Sequence, residues 1–222
     1  MNLTPYLVTI NNLNPLGQRL YFNPDHWCNF NYNNALVTED MTFISANYQN
    51  GISRQEIINY FRQENSTLLR GFLLTMVWGH GFSEHGRADN RGPWKVSIML
   101  SNFDNSIAIL ESAKNHLLLN NIQSAHSSFD NMQRCRVNFF SKYLYFLGRS
   151  LNMARYPLIF DARVAKTIGQ LTSTSPNLFS ILDIQPKQDS ISYNNYVTEI
   201  HEIAIELNVE SEKIEYFLFN GI

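Results

Sequence analysis

In FFSKYLYFLGRSLNMARYPLIFDARVAKTI, residues 139–168, a run with helical spacing gives way to a proline-containing turn and then to a second helical start. Val137, Phe140, Leu144, Leu147 and Leu151 recur at intervals of three and four, so they form one apolar stripe of a helix from about Val137 to Leu151. After Pro157, Asp161 followed by Ala162, Arg163 and Val164 reads as the N-cap of the next helix, about Ala162 to Leu171. Lys142, in the middle of the first helix, and Asp161, nineteen residues later at the mouth of the second, are thereby brought together across a helical hairpin.

An amine and a carboxylate that meet at one carbon suit displacement of a base from a sugar. The amine attacks and forms a Schiff base with the opened sugar, while the carboxylate stabilises the cationic, oxocarbenium-like transition state. At about 100° per residue, Lys142 points roughly opposite the apolar stripe, beside Phe139, Tyr145, Phe146 and Arg149. The ordinary reading of that placement is a solvated lysine facing away from the core. The functional reading is that the aromatic neighbours exclude water and Arg149 repels the ammonium, both favouring the neutral, nucleophilic amine. Asp161 is an ordinary cap and also a carboxylate held rigidly by backbone N–H groups, and the two roles coexist.

The chain has 222 residues and is 44% hydrophobic, enough for a core in one large or two small lobes. No run of about 18 apolar residues suggests a membrane span, and the N-terminus has no secretory pattern. Cys28 and Cys135 form no Cys-x-x-Cys pair, so reduced thiols in a cytoplasm are expected, with no metal or iron–sulfur cluster. A net charge of −2 excludes broad coating of nucleic acid but allows a local basic groove. Arg87, Arg91, Lys95, Arg134 and Arg136 are its candidate backbone contacts.

Residues 1–50 are rich in asparagine and aromatics and read as a partly irregular segment packed on the core, with a short helix where Asn23 caps and Pro24 takes the first turn. Residues 51–222 read as a helical domain holding both lobes. Ser53-Arg54-Gln55-Glu56 is a capping box opening a helix to about Glu64. Further helices are expected at about Thr67 to Trp78, Lys95 to Leu100, Asn105 to Leu119, Ile122 to Asn131, Tyr193 to Leu207 and Ser211 to Phe219, with a linker from Thr172 to Gln188. HGFSEHGRADNRGP, residues 80–93, reads as a polar loop, with Arg87 and Arg91 toward phosphates and His85 toward a base. His80, His85 and Asp89 in that loop lack the spacing that enforces a metal site.

Phe139-Phe140-Ser141-Lys142-Tyr143-Leu144-Tyr145-Phe146 and Pro157-Leu158-Ile159-Phe160-Asp161-Ala162-Arg163-Val164-Ala165 resemble the FFxKxLYF and PLIxDxxVA stretches of the helix-hairpin-helix DNA glycosylase superfamily, most closely its bacterial 8-oxoguanine glycosylase-like branch. Val77-Trp78-Gly79-His80-Gly81 and Gly92-Pro93-Trp94-Lys95 are similar to that branch's WGxG and GPxR stretches, with Lys95 in place of arginine. The resemblance implies an all-α, bilobal helix-hairpin-helix glycosylase-like fold. It also implies an enzyme that excises a modified, 8-oxoguanine-like purine from DNA, with Lys142 as nucleophile, Asp161 as its carboxylate partner, an AP-lyase step and no cofactor.

Two departures qualify it. The turn before the lysine helix, Arg134-Cys135-Arg136-Val137-Asn138, has no glycine to let backbone amides approach a DNA phosphate, although its two arginines supply charge. Phe146 stands where the oxidised-guanine enzymes carry a small residue against the base, so it either fills the pocket or stacks on a different base. Phe139, Phe146, His85, Tyr216 and Phe217 are the candidate base contacts, with Phe219 beside the last two; core packing is the ordinary reading of Tyr216, Phe217 and Phe219. The alternative is a nucleic-acid or nucleotide-binding module of a bacterial antiviral defence system, with a protein partner and lost or altered activity.

Overall fold

The structure is a computed structural model that describes residues 1–83, 90–173 and 184–221. The chain is all-α, as its resemblance implies. Among the described residues its α-helices are α1 (Leu7–Asn12), α2 (Pro24–Cys28), α3 (Ala35–Asn47), α4 (Arg54–Phe61), α5 (Leu68–Gly79), α6 (Gly92–Met99), α7 (Phe103–Leu118), α8 (Ile122–Ser127), α9 (Val137–Ser150), α10 (Ala162–Thr172), α11 (Ser190–Leu207) and α12 (Ser211–Asn220). A two-residue strand β1 (Arg19–Leu20) pairs antiparallel with β2 (Ile52–Ser53), and Tyr21 bridges to Phe82. Strands this short carry no alternating pattern, which is why the sequence does not announce them.

Local signals set most helix starts. Both halves of the capping box form at α4: the Ser53 hydroxyl accepts from the Glu56 N–H, and the Glu56 carboxylate accepts from the Ser53 N–H. Asn23 caps α2 and Pro24 opens it, as expected. Two expectations change. The helix from Ile122 ends at Ser127 and tightens into a 3-10 turn over Ser128–Asn131. Within the first fifty residues lies α3, a thirteen-residue helix where the sequence suggests irregular chain. Its buried face, Val37, Asp40, Met41, Ile44 and Ser45, has helical spacing but includes two polar residues, while Leu36 and Phe43 face outward. Asp40 is satisfied by Arg70 at 2.6 Å and the Ser45 hydroxyl by the Pro24 carbonyl, so their burial is masked in the sequence.

Helix α9 is the axis of the molecule. It packs against α4, α5, α7 and α8 on one side, while α10, α11 and α12 pack among themselves and with α8 on the other. Leu3, Ile10, Trp27 and Met41 from the N-terminal segment join the same core.

Candidate active site

The hairpin between α9 and α10 is held by contacts that fix every residue leading to Asp161. Gly148 lets Pro157 lie directly on α9, because a Cβ there would stand 2.5 Å from the Pro157 Cδ. From α11, the Tyr193 hydroxyl donates to the Leu158 carbonyl (2.8 Å) and the Tyr196 hydroxyl to the Ile159 carbonyl (2.9 Å). The Phe160 N–H donates to the Ser141 Oγ at 3.1 Å. Asp161 then caps α10 through Oδ1, which accepts from the N–H groups of Arg163 (3.0 Å) and Val164 (3.3 Å). Its Oδ2 lies 3.7 Å from the Lys142 Nζ.

Lys142 does not face solvent. Helix α9 is buried on nearly every side, and Lys142 is only 7% exposed. The expected outward direction fails because the chain returns over the polar side of the helix. Gly79, at the end of α5, leaves room for the lysine stem: a Cβ there would sit 3.2 Å from its Cδ. The ammonium donates to the Asn138 carbonyl and lies 5.7 Å from the centre of the Phe139 ring. Burial pushes the Lys142 amine below its ordinary value, Asp161 and Glu215 oppose that shift, and Arg54 adds to it. Arg149 does not serve this role as expected; it turns to Glu212 at 3.0 Å and to the Tyr156 ring at 4.6 Å.

Lys142 and Asp161 open on a cavity of about 760 Å3 lined also by Gln18, Trp78, Arg163, Tyr216 and Phe219. Behind it lies a buried ion pair, Arg54 with Glu215 at 2.6 Å. The Trp78 indole N–H is buried without a hydrogen-bond partner among the described residues.

The candidate base contacts divide. Tyr216 lines the cavity. Phe146 does not: it is fully buried and meets the Trp78 ring edge-on at 5.3 Å. Phe217 turns the other way and packs on Tyr6 at 5.1 Å, leaving Phe219, beneath the Arg163 guanidinium at 5.0 Å, as the aromatic wall. Sequence reasoning also missed Gln18, Arg54 and Glu215. Only Glu215 had a signal: with Glu212 it stands among Ile214, Phe217 and Leu218 on the buried face of α12, where an unpaired carboxylate would be costly.

A second cavity, of about 880 Å3, is lined by Lys95, Asp130, Arg134, Arg136, Phe139 and Gln188. Arg134 makes the glycine-free turn by adopting φ +56° and lays its guanidinium on Trp94 at 5.0 Å. The first amide of α9, Val137, donates to the Gln188 side chain at 3.0 Å. Phe139 is a wall of this groove: Lys95 lies 5.9 Å from its ring centre and the His80 ring 4.4 Å. His80 is thus buried against aromatics and not part of an open polar loop. Arg91 is exposed at the start of α6 and does not line the groove. His85, Arg87 and Asp89 lie outside the described residues. Among the described residues no three His, Cys, Asp or Glu side chains are grouped to hold a metal, and no helix is long and apolar enough to cross a membrane.

The family model described as "Putative 8-oxoguanine DNA glycosylase OGG-like protein" matches residues 13–219. No curated protein and no solved structure matches the chain.

Proposed function

Since the chain belongs to the OGG-like 8-oxoguanine DNA glycosylase family, we propose that it is an N-glycosylase that releases a modified, 8-oxoguanine-like purine from a nucleic acid through a Schiff base on Lys142. The observation that carries this reading is a buried lysine with a depressed pKa whose Nζ stands 3.7 Å from a capping carboxylate at the mouth of a cavity. The neutral amine attacks the sugar carbon as the base departs with the electron pair of its glycosidic bond, Asp161 stabilises the positive charge that develops on the sugar, and one amine proton passes to the ring oxygen as its bond to that carbon breaks, giving the protonated Schiff base. The same intermediate carries a lyase step. Lys95, Arg134 and Arg136 hold the phosphates, and Tyr216 and Phe219 receive the flipped base.

The test is borohydride trapping on oligonucleotides that carry an abasic site or 8-oxoguanine. A covalent adduct lost in Lys142→Ala supports the reading. Salt-sensitive binding with neither an adduct nor base release on any substrate makes the chain a nucleic-acid-binding module and rejects the enzyme.

A further inference from the structure

Behind the Lys142 cavity, Arg54 reaches three of its walls. Its Nε donates to the Gln18 Oε1 at 2.8 Å, and its guanidinium stacks on the rings of Trp78 (5.4 Å) and Tyr216 (5.2 Å). All three line the cavity, and they come from the turn before β1, from α5 and from α12. The Tyr145 ring closes a fourth side at 5.3 Å, and Glu215 accepts one hydrogen bond from each terminal nitrogen. Arg54 is 1% exposed and Glu215 0%.

We propose that Arg54 is the positioning residue of the Lys142 cavity: one buried guanidinium fixes Gln18, Trp78 and Tyr216 together and so sets the shape a base must fit. The inference rests on the glycosylase reading for its substrate, but not for its geometry. Only arginine offers a flat cation that stacks on aromatic faces while its edge donates in several directions. A buried ion pair is a poor way to gain stability, since apolar residues of similar volume do as well. What this pair provides is a defined arrangement of three side chains that come from different segments. Glu215 keeps the charge balanced at Lys142, which Asp161 faces from the start of α10, Glu215 from α12 and Arg54 from α4.

The experiment uses the full chain labelled with 5-fluorotryptophan, its Trp78 19F resonance assigned through Trp78→Phe. Arg54→Lys keeps the charge and loses the plane. The Trp78 resonance is expected to shift and broaden while those of Trp27 and Trp94 stay. Release of 8-oxoguanine from an oligonucleotide should fall about a hundredfold, as a displacement near 1 Å costs, chiefly through KM. Borohydride trapping of an abasic oligonucleotide, which has no base to seat, should fall far less. If Arg54→Lys does not fold, Arg54→Met with Glu215→Leu retains the volume without the charges, and its Trp78 resonance is read in the same way. An unmoved Trp78 resonance in either folded variant overturns the proposal. Wild-type protein that traps neither oligonucleotide rejects the glycosylase reading, and the resonance alone then decides the role of Arg54.

Discussion

The Ser141 hydroxyl accepts the Phe160 N–H at 3.1 Å, joining the residue before Lys142 to the residue before Asp161. This single bond ties the two arms of the hairpin beside the Lys142–Asp161 pair. Ser141 is fully buried, so Ser141→Ala leaves the Phe160 N–H without its acceptor. We expect a loss of about 1–3 kcal/mol in chemical denaturation. Base release should fall more than stability implies, because Asp161 is freed to move. A variant with normal turnover and lowered stability would confine Ser141 to the scaffold.

For Lys142 the expected outcome is complete loss of the borohydride adduct in Lys142→Ala, with Lys166→Ala as the control that retains it. Burial lowers the amine's pKa, so attack speeds up as pH rises through that lowered value and levels off below the ordinary 10.5 of lysine. Asp161 holds the value up; Asp161→Asn should therefore move the rising limb to lower pH. The same shift makes stability rise with pH between the folded value and 10.5, because there the unfolded chain binds more protons. A pH–rate limb that does not move in Asp161→Asn would separate the two residues electrostatically.

Asp161→Asn has a second readout. Asparagine caps helices about as well as aspartate, so melting should change by less than about 1 kcal/mol. Base release should fall about a hundredfold or more from the lost charge stabilisation. A stable variant with full turnover would leave Asp161 as a cap alone.

The hairpin was legible because its signals are local: Pro157, the cap at Asp161 and the stripe from Val137 to Leu151 all lie within one stretch. The burial of Lys142 was not. Helical projection gives a direction but not what fills it, and here Gly79 and Phe139 close over the lysine. The Arg54–Glu215 pair joins residues 161 positions apart, which no local pattern reports. Helix α3 was hidden by the opposite effect, since Asp40 and Ser45 occupy core-facing positions that a polarity pattern assigns to solvent.

His126 is expected to contribute to acid sensitivity. Its ring is fully buried between Phe140 (4.7 Å) and Tyr193 (5.0 Å), and neither nitrogen has a hydrogen-bond partner among the described residues. Burial lowers its pKa to about 4. The unfolded chain takes up the proton first, so stability should decline as pH falls from about 6.5 to about 4 and change no further through this group below that. Denaturation at a series of pH values should show this slope reduced in His126→Phe. An identical slope in a folded variant would assign the acid sensitivity elsewhere.

The groove yields the last prediction. Arg134 adopts a left-handed backbone in a turn that would suit glycine, at a cost of about 1–2 kcal/mol, and recovers about 0.5–1 kcal/mol from its contact with Trp94. Arg134→Gly should therefore leave the melting temperature unchanged or slightly raised, whereas binding to oligonucleotides should weaken. An arginine kept at this conformational expense is expected to serve the groove. Replacing Arg134 and Arg136 together by Ala should reduce the slope of log affinity against log salt by about 1.4–1.8, as loss of two phosphate contacts requires. The loss should be similar across sequences, since phosphate contacts do not read bases. If the slope is unchanged, the turn before α9 does not meet a backbone, and the strand must cross the protein elsewhere.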